Sequence, residues 1–216
     1  RQQFLNLSHI QEASRENRLV IFVGAGVSMN SGIPSWNSLI DELKQELPTV
    51  YSSETDALKI AQVYKDARGH KEYMDKVKEV LLFNKAVPNP LHRRICSLSP
   101  CHIITTNYDD LIEQELANEF LQFHVIREDK DLPQMTFPNT LVKMHGDYAK
   151  DNIVLTESDY FNYKEKFPLI RAFIQSLFAS KLVLFIGFSF ADLNLKMILN
   201  ELKNILSENM QRAYLL

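Results

Sequence analysis

Cysteine is nearly missing from this chain, with Cys96 and Cys101 the two examples in 216 residues. Two thiols are too few for a disulfide framework or a four-thiolate zinc site. They read instead as buried thiols of a protein kept in a reducing compartment. Positive charge is in short supply too: 24 Lys and Arg stand against 27 Asp and Glu, for a net charge of −3. That balance argues against a chain whose main business is gripping nucleic acid, and no direct nucleic-acid binding is expected. Apolar runs stop after about eight residues, far short of a membrane span, so no membrane association is expected. A positively charged leader with an apolar stretch and cleavage site is lacking, which makes the cytoplasm the expected location. The chain opens on Arg rather than Met, as an excised or processed piece of a longer chain does. What is present is 45% hydrophobic and 24% charged residues, enough to bury a sizeable globular core as one large domain.

The most informative stretch is 19–37, LVIFVGAGVSMNSGIPSWN. Leu19 to Val23 has the β-branched and aromatic run of a short strand buried on both faces. It leads directly into Gly24, Ala25 and Gly26, where two glycines allow a tight turn and close backbone approach to a ligand. Successive N–H groups of such a turn are expected to point at an anion, as a diphosphate requires. The usual dinucleotide fingerprint wants a third glycine at position 29, but Met29 stands there and the next glycine is Gly32, which weakens a dehydrogenase reading.

Periodicity organises the rest. A loose apolar stripe (Phe4, Leu5, Leu7, Ile10) predicts a helix over 3–17. Ser35 is placed to cap a helix carrying Leu39, Ile40 and Leu43 and ended by Pro48. Ser53 is placed to open a second helix that closes near Gly69. A third is expected over 71–83 and a fourth over 90–98, so that 36–98 forms a helical insertion between strands. Strands follow at 101–105, 123–126, 140–144 and 152–156, with helices at 111–120, 157–166 and 168–180. The run 181–190, KLVLFIGFSF, repeats the pattern of a buried strand ending in glycine and serine. Asp192 then suits a helix cap, and 213–216 reads as a last strand.

Three strand ends carry candidate chemistry besides the glycine turn. The first is Thr106-Asn107-Tyr108-Asp109, at the carboxyl end of its strand, where parallel sheets place ligands. Read alone, Asp109 is also a helix cap and Asn107 a turn former. The second is His145-Gly146-Asp147, where a histidine beside a glycine can face a cleft and titrate near neutrality. Asp147 suits a helix cap, a turn former or a histidine orienter, with the structural roles favoured, and His9, His70, His92, His102 and His124 are read as structural. The third is Gly187-Phe188-Ser189.

Taken together, GAG with Ser28 and SGIP (Ser31 to Pro34), NYD, HG and GFS, in that order at strand ends, resemble the sirtuin superfamily. This variant, with TTNYD, KMHGD and FIGFSF, resembles the bacterial defence-associated sirtuin-like domains of antiphage systems, including those of the Thoeris and prokaryotic Argonaute-linked systems. The resemblance implies an α/β fold, a Rossmann-like mostly parallel sheet with helices on both faces. Residues 1–216 would form a single catalytic domain, with 36–98 and 157–180 as helical lobe segments. Two departures matter. The CxxC pairs of the protein-deacylating sirtuins are missing, so a helical lobe replaces the zinc-binding module. After Pro34 come Trp36 and Asn37, where phenylalanine and arginine are usual.

By that resemblance the ligand is NAD+, used as substrate and bound by Gly24, Ala25, Gly26, Ser28, Ile33, Pro34, Trp36, Thr106, Gly187, Phe188 and Ser189. Asn107, Asp109 and His145 would carry the catalysis. The nicotinamide is already a cationic leaving group, so heterolysis needs a gripped carboxamide, a stabilised oxocarbenium-like ribose and a placed nucleophile. Asp109 would grip the carboxamide beside Ile33, Asn107 would orient water, and neutral His145 would accept a proton. No metal is required. The expected reaction is hydrolysis of NAD+ to ADP-ribose and nicotinamide, depleting NAD+ in abortive antiviral defence. A homo-oligomer, or a regulatory domain or protein, is the expected partner. Two alternatives stay open: a deacylase or ADP-ribosyltransferase of the same fold, and a silent NAD+ or ADP-ribose sensor.

Overall fold

The computed structural model describes residues 2–81, 85–188, 192–210 and 213–216, with side chains from residue 6 onward. Ser189 and Phe190, the end of the third expected helix and the side chains of Phe4 and Leu5 therefore lie outside the described residues.

Among the described residues six parallel strands form one sheet: β1 Leu19–Val23, β2 His102–Thr105, β3 His124–Ile126, β4 Thr140–Lys143, β5 Leu182–Ile186 and β6 Ala213–Leu215. Their spatial order is β3-β4-β2-β1-β5-β6. β1 is central, pairing Phe22 with Ile104 of β2 on one side and with Phe185 of β5 on the other. The chain runs from β1 out to β2 and on to the edge strand β3, returns to β4 between β2 and β3, then crosses to β5 and β6. Its switch point therefore opens at the carboxyl ends of β1, β2 and β5, the crevice in which open α/β sheets bind ligands.

Side-chain alternation explains why β1 is buried throughout. Val20 and Phe22 face a core shared with α10 (Pro168–Ser180) and α11 (Leu193–Leu206). Leu19, Ile21 and Val23 face the opposite core, made with α1 (Gln2–Arg15), α6 (Pro90–Ser97) and α7 (Leu111–Asn118). A third cluster belongs to the insertion, where α3 (Trp36–Gln45), α4 (Ala57–Arg68) and α5 (His70–Leu81) pack Leu39, Leu43, Tyr64, Tyr73 and Val77 together with Ile33, Tyr108 and Leu111. The helical segments therefore sit directly over the strand-end loops.

Local chemistry sets the boundaries. Ser35 caps α3 by accepting the Ser38 N–H, as its position predicts. Asp56, not Ser53, caps α4 by accepting the N–H groups of Leu58 and Lys59, because residues 49–51 close into a separate 3₁₀ turn. Asn89 and His92 form a reciprocal capping box on α6, which accounts for one of the structural histidines. The helix expected over 157–166 is two short ones, α8 (Glu157–Phe161) and α9 (Tyr163–Lys166), broken at Asn162.

One expected strand is absent. Residues 152–155 are extended but join no ladder, because β4 already has β2 and β3 as neighbours. Their alternation is used between layers instead: Ile153 and Leu155 enter the insertion's core, while Val154 enters the sheet core. Val154 N–H donates to His145 O at 2.8 Å, so this segment braces the histidine loop. No helix among the described residues is long and apolar enough to cross a membrane.

Candidate functional site

A cavity of about 860 Å³ opens at the switch point, beneath the helical insertion. Ala25, Gly26, Ser28, Ile33, Pro34, Trp36, Thr106, Asn107, Asp109, His145, Gly187 and Phe188 all line it. Segments more than 160 residues apart in the chain thus share one wall, which no local sequence pattern dictates.

The glycine turn is built differently from its expectation in one respect. Gly24 N–H donates to Ile186 O at 2.9 Å and Gly26 N–H to Gly187 O at 2.8 Å. Both groups therefore tie β1 to the turn after β5 and are not left pointing at an anion. Gly24 lies behind the cavity wall as a contact between backbones: a Cβ on it would meet Gly187 O at 2.3 Å. Gly187 itself has φ +64, in the left-handed region.

Asn107 and Asp109 are anchored in a chain of hydrogen bonds. Asn107 Nδ2 donates to Gly24 O at 3.1 Å and to Ser28 Oγ at 3.0 Å. Ser28 Oγ in turn donates to Asp109 Oδ2 at 2.7 Å, and Asp109 Oδ1 accepts the Leu111 N–H. Asp110, not Asp109, stands at the N-cap of α7; Asp109, one residue earlier, accepts the first helical N–H and also lines the cavity. Tyr108 turns away into the core, its hydroxyl donating to Val154 O.

Below this loop sits a buried ammonium the sequence reading passed over. Lys143, fully buried at the end of β4, donates to Asp109 O at 2.7 Å, to Glu113 at 3.0 Å and to Asp147 Oδ2 at 2.6 Å. Arg127 adds a 3.2 Å contact to Asp147, whose other oxygen caps the turn Tyr148–Lys150. The available signal was a lysine ending a buried strand, since lysine is almost never fully buried unless paired. Removing it leaves the carboxylates of Glu113 and Asp147 with Arg127 as their remaining cation. Lys143→Met is expected to cost roughly 3–5 kcal/mol and to lower the melting temperature by about 10 °C, as read by calorimetry.

Burial raises the Asp147 carboxyl, but the Lys143 ammonium, the Ala149 N–H and Arg127 outweigh it and hold the group below the usual carboxylate range. Asp192 is shifted the same way: burial opposes, and His145, the Leu195 N–H and the Tyr160 hydroxyl prevail. With folded-state values below the unfolded ~3.9, the unfolded chain binds protons first. The stability these groups supply is complete above about pH 4 and drains as pH falls through their folded-state values. Glu113, pushed up by burial despite Lys143, acts with the opposite sign. The denaturant midpoint is expected to fall as the pH drops from about 4 to about 2, and to fall less steeply in Asp147→Asn.

His145 is buried, held edge-on by Tyr160 and Tyr163 at ring distances of 5.5 and 6.2 Å. Its backbone stays in place through Tyr163, whose hydroxyl donates to Met144 O, and through Gly146 at φ +79, where Asn152 leaves no room for a side chain. Its Nε2 lies 3.1 Å from Asp192 Oδ2. Asp192, read from sequence as a helix cap, and Tyr160 both line the cavity as well. Among the described residues, no group of three or more His, Cys, Asp or Glu side chains is placed to hold a metal ion.

The SIR2-like domain family matches residues 101–216, more than half of the chain. Defense-associated sirtuin 2 of Bacillus subtilis is 34% identical over 96% of this chain and 21% of its own length. NAD(+) hydrolase ThsA of Acinetobacter baumannii is 32% identical over 99% of this chain and 45% of its own, and that of Bacillus cereus 34% over 93% and 43%. The chain thus spans less than half the length of each of these relatives. Among solved structures, a Sir2 mutant with a p53 peptide and NAD superposes with a TM-score of 0.57 at 14% identity, covering 99% of this chain and 84% of that one. Family match and fold agree with the order of strand-end motifs, and the chain belongs to the SIR2-like domain family.

Proposed function

We propose that this chain is an NAD+ glycohydrolase that cleaves NAD+ to ADP-ribose and nicotinamide in antiphage defence. The observation that carries the reading is the convergence of Asn107, Asp109, Ser28 and His145 on one cavity flanked by the glycine turns of β1 and β5. Relatives named as NAD(+) hydrolases and as a defence-associated sirtuin support it.

In this reading the ADP half of the substrate lies along Ala25, Gly26, Gly187 and Phe188, and the nicotinamide enters beside Ile33, Pro34 and Trp36. Asp109, fixed by Ser28 and Leu111, receives the carboxamide N–H groups. Asn107, held at its amide nitrogen, keeps its carbonyl oxygen for a water under the ribose. Water attacks the anomeric carbon as the glycosidic bond breaks, and the bonding pair leaves on nicotinamide as a neutral base. His145 takes the proton of that water, a role typically worth ~10²–10⁴ in rate. Residues 1–216 act as one catalytic unit in the cytoplasm, with 36–98 and 157–180 covering the site, and a regulatory partner or homo-oligomer governs its activity.

Incubating the full chain with NAD+ alone and quantifying free nicotinamide tests this. Turnover without any acyl peptide or acceptor protein is expected. Release that requires an acyl peptide assigns a deacylase instead, and tight NAD+ binding without release assigns a sensor.

A further inference from the structure

We propose that Asp192 is the positioning residue of His145, fixing its tautomer and ring orientation and balancing its charge when it takes a proton. The proton-accepting part of this role rests on the NAD+ reading above.

Asp192 is held from two sides. Its Oδ1 accepts the Leu195 N–H at 2.8 Å, at the head of α11, and its Oδ2 accepts the Tyr160 hydroxyl at 3.1 Å. That same Oδ2 lies 3.1 Å from His145 Nε2, with the two side chains 10% and 4% exposed. An ionised carboxylate only accepts hydrogen bonds, so Nε2 must carry the proton and Nδ1 keeps the lone pair of the neutral ring. Asn194 also approaches Nε2, at 3.4 Å. With Nε2 donating to Asp192, the amide's oxygen, rather than its nitrogen, suits that side.

The other charged groups near the imidazole are already engaged. Lys143, just before it in the chain, binds both Asp147 and Glu113. Asp109, across the cavity, has its oxygens on Ser28 and Leu111. From α8 and α9, Tyr160 reaches Asp192 and Tyr163 reaches the Met144 carbonyl. Asp192 is thus the carboxylate directed at His145 among the described residues. The step balances: the water oxygen bonds to the anomeric carbon, the glycosidic pair departs with nicotinamide, the water proton moves to Nδ1, and the resulting imidazolium rests against Asp192 until solvent takes the proton.

Asp192→Asn tests this role, because asparagine caps a helix as well as aspartate does, while the oxygen facing His145 and Tyr160 becomes an amide donor and the charge is lost. For the full chain with NAD+, kcat is expected to fall about 10²- to 10⁴-fold, with KM within about threefold and the melting temperature lowered by about a few degrees at most. The acidic limb of the kcat–pH profile is expected to move to lower pH. A second readout is free of turnover: ¹⁵N imidazole NMR, with His145 assigned through His145→Gln. The expected result is an Nε2–H tautomer in the wild type that is lost in Asp192→Asn. An Nδ1–H tautomer in the wild type, or a variant with unchanged tautomer, kcat and pH profile, overturns the assignment even if NAD+ is hydrolysed. A wild type without turnover sinks the enzymatic reading, while the NMR result still decides the pairing.

Discussion

Replacing His145 with alanine is expected to lower the kcat for nicotinamide release by about 10²–10⁴-fold, the range for losing a positioned general base. The protein should remain folded, because the histidine loop has supports that do not involve the imidazole. Tyr163 bonds the Met144 carbonyl, Val154 bonds the His145 carbonyl, and Asp147 is pinned by Lys143. NAD+ affinity is expected to change little, since the imidazole's role lies in the transition state and uniform binding is untouched. Single-turnover kinetics, with NAD+ affinity measured separately by calorimetry, distinguishes these quantities. Loss of affinity with kcat intact would assign His145 to ground-state binding and remove it from the chemistry. Asn107→Ala is expected to be less selective, because its amide also ties Gly24 to Ser28, so stability and kcat should fall together.

The second large effect concerns a residue with no side chain. Gly24→Ala is expected to destabilise the protein by roughly 3 kcal/mol or more, among the larger effects of single substitutions. A Cβ there meets Gly187 O at 2.3 Å, Phe188 Cα at 2.5 Å and Gly187 C at 2.8 Å, all of them backbone atoms that no rotamer change can move. Gly24 has φ −101, which any residue adopts, so the cost is contact and not backbone strain. Gly32→Ala supplies the contrast. Its φ is +88 and nothing lies within 4 Å of a new Cβ, so about 1–2 kcal/mol of left-handed strain is the whole penalty. Chemical denaturation of the two variants should separate them, and equal losses would mean that the β1 and β5 turns are not interlocked.

The parallel sheet was legible because β1 and β5 are short runs apolar on both faces, a pattern half-solvated sheets do not show. The site was legible to the extent that strand ends carry function in such sheets, which brought Asn107, Asp109 and His145 forward. Residues 152–156 alternate like a strand, yet alternation says only that two faces differ in surroundings, and here the two faces are two hydrophobic cores. The hydrogen bonds of Gly24 and Gly26 to the β5 turn escaped detection because their acceptors are more than 160 residues away. Asp192 was legible as a cap, but its second oxygen reaches His145 through the docking of α11 on the sheet, a tertiary event. Lys143 is the instructive omission: lysine reads as surface unless its neighbours are known, and Glu113 lies 30 residues from it.

The ammonium of Lys143 touches the backbone carbonyl of Asp109 on one loop and the carboxylate of Asp147 on the other. The two halves of the cleft are therefore mechanically one piece. Mutational effects on the Asn107 side and on the His145 side are then not free to add, because a displacement of either loop is felt through a shared cation. Epistasis between positions that never touch is built into this architecture.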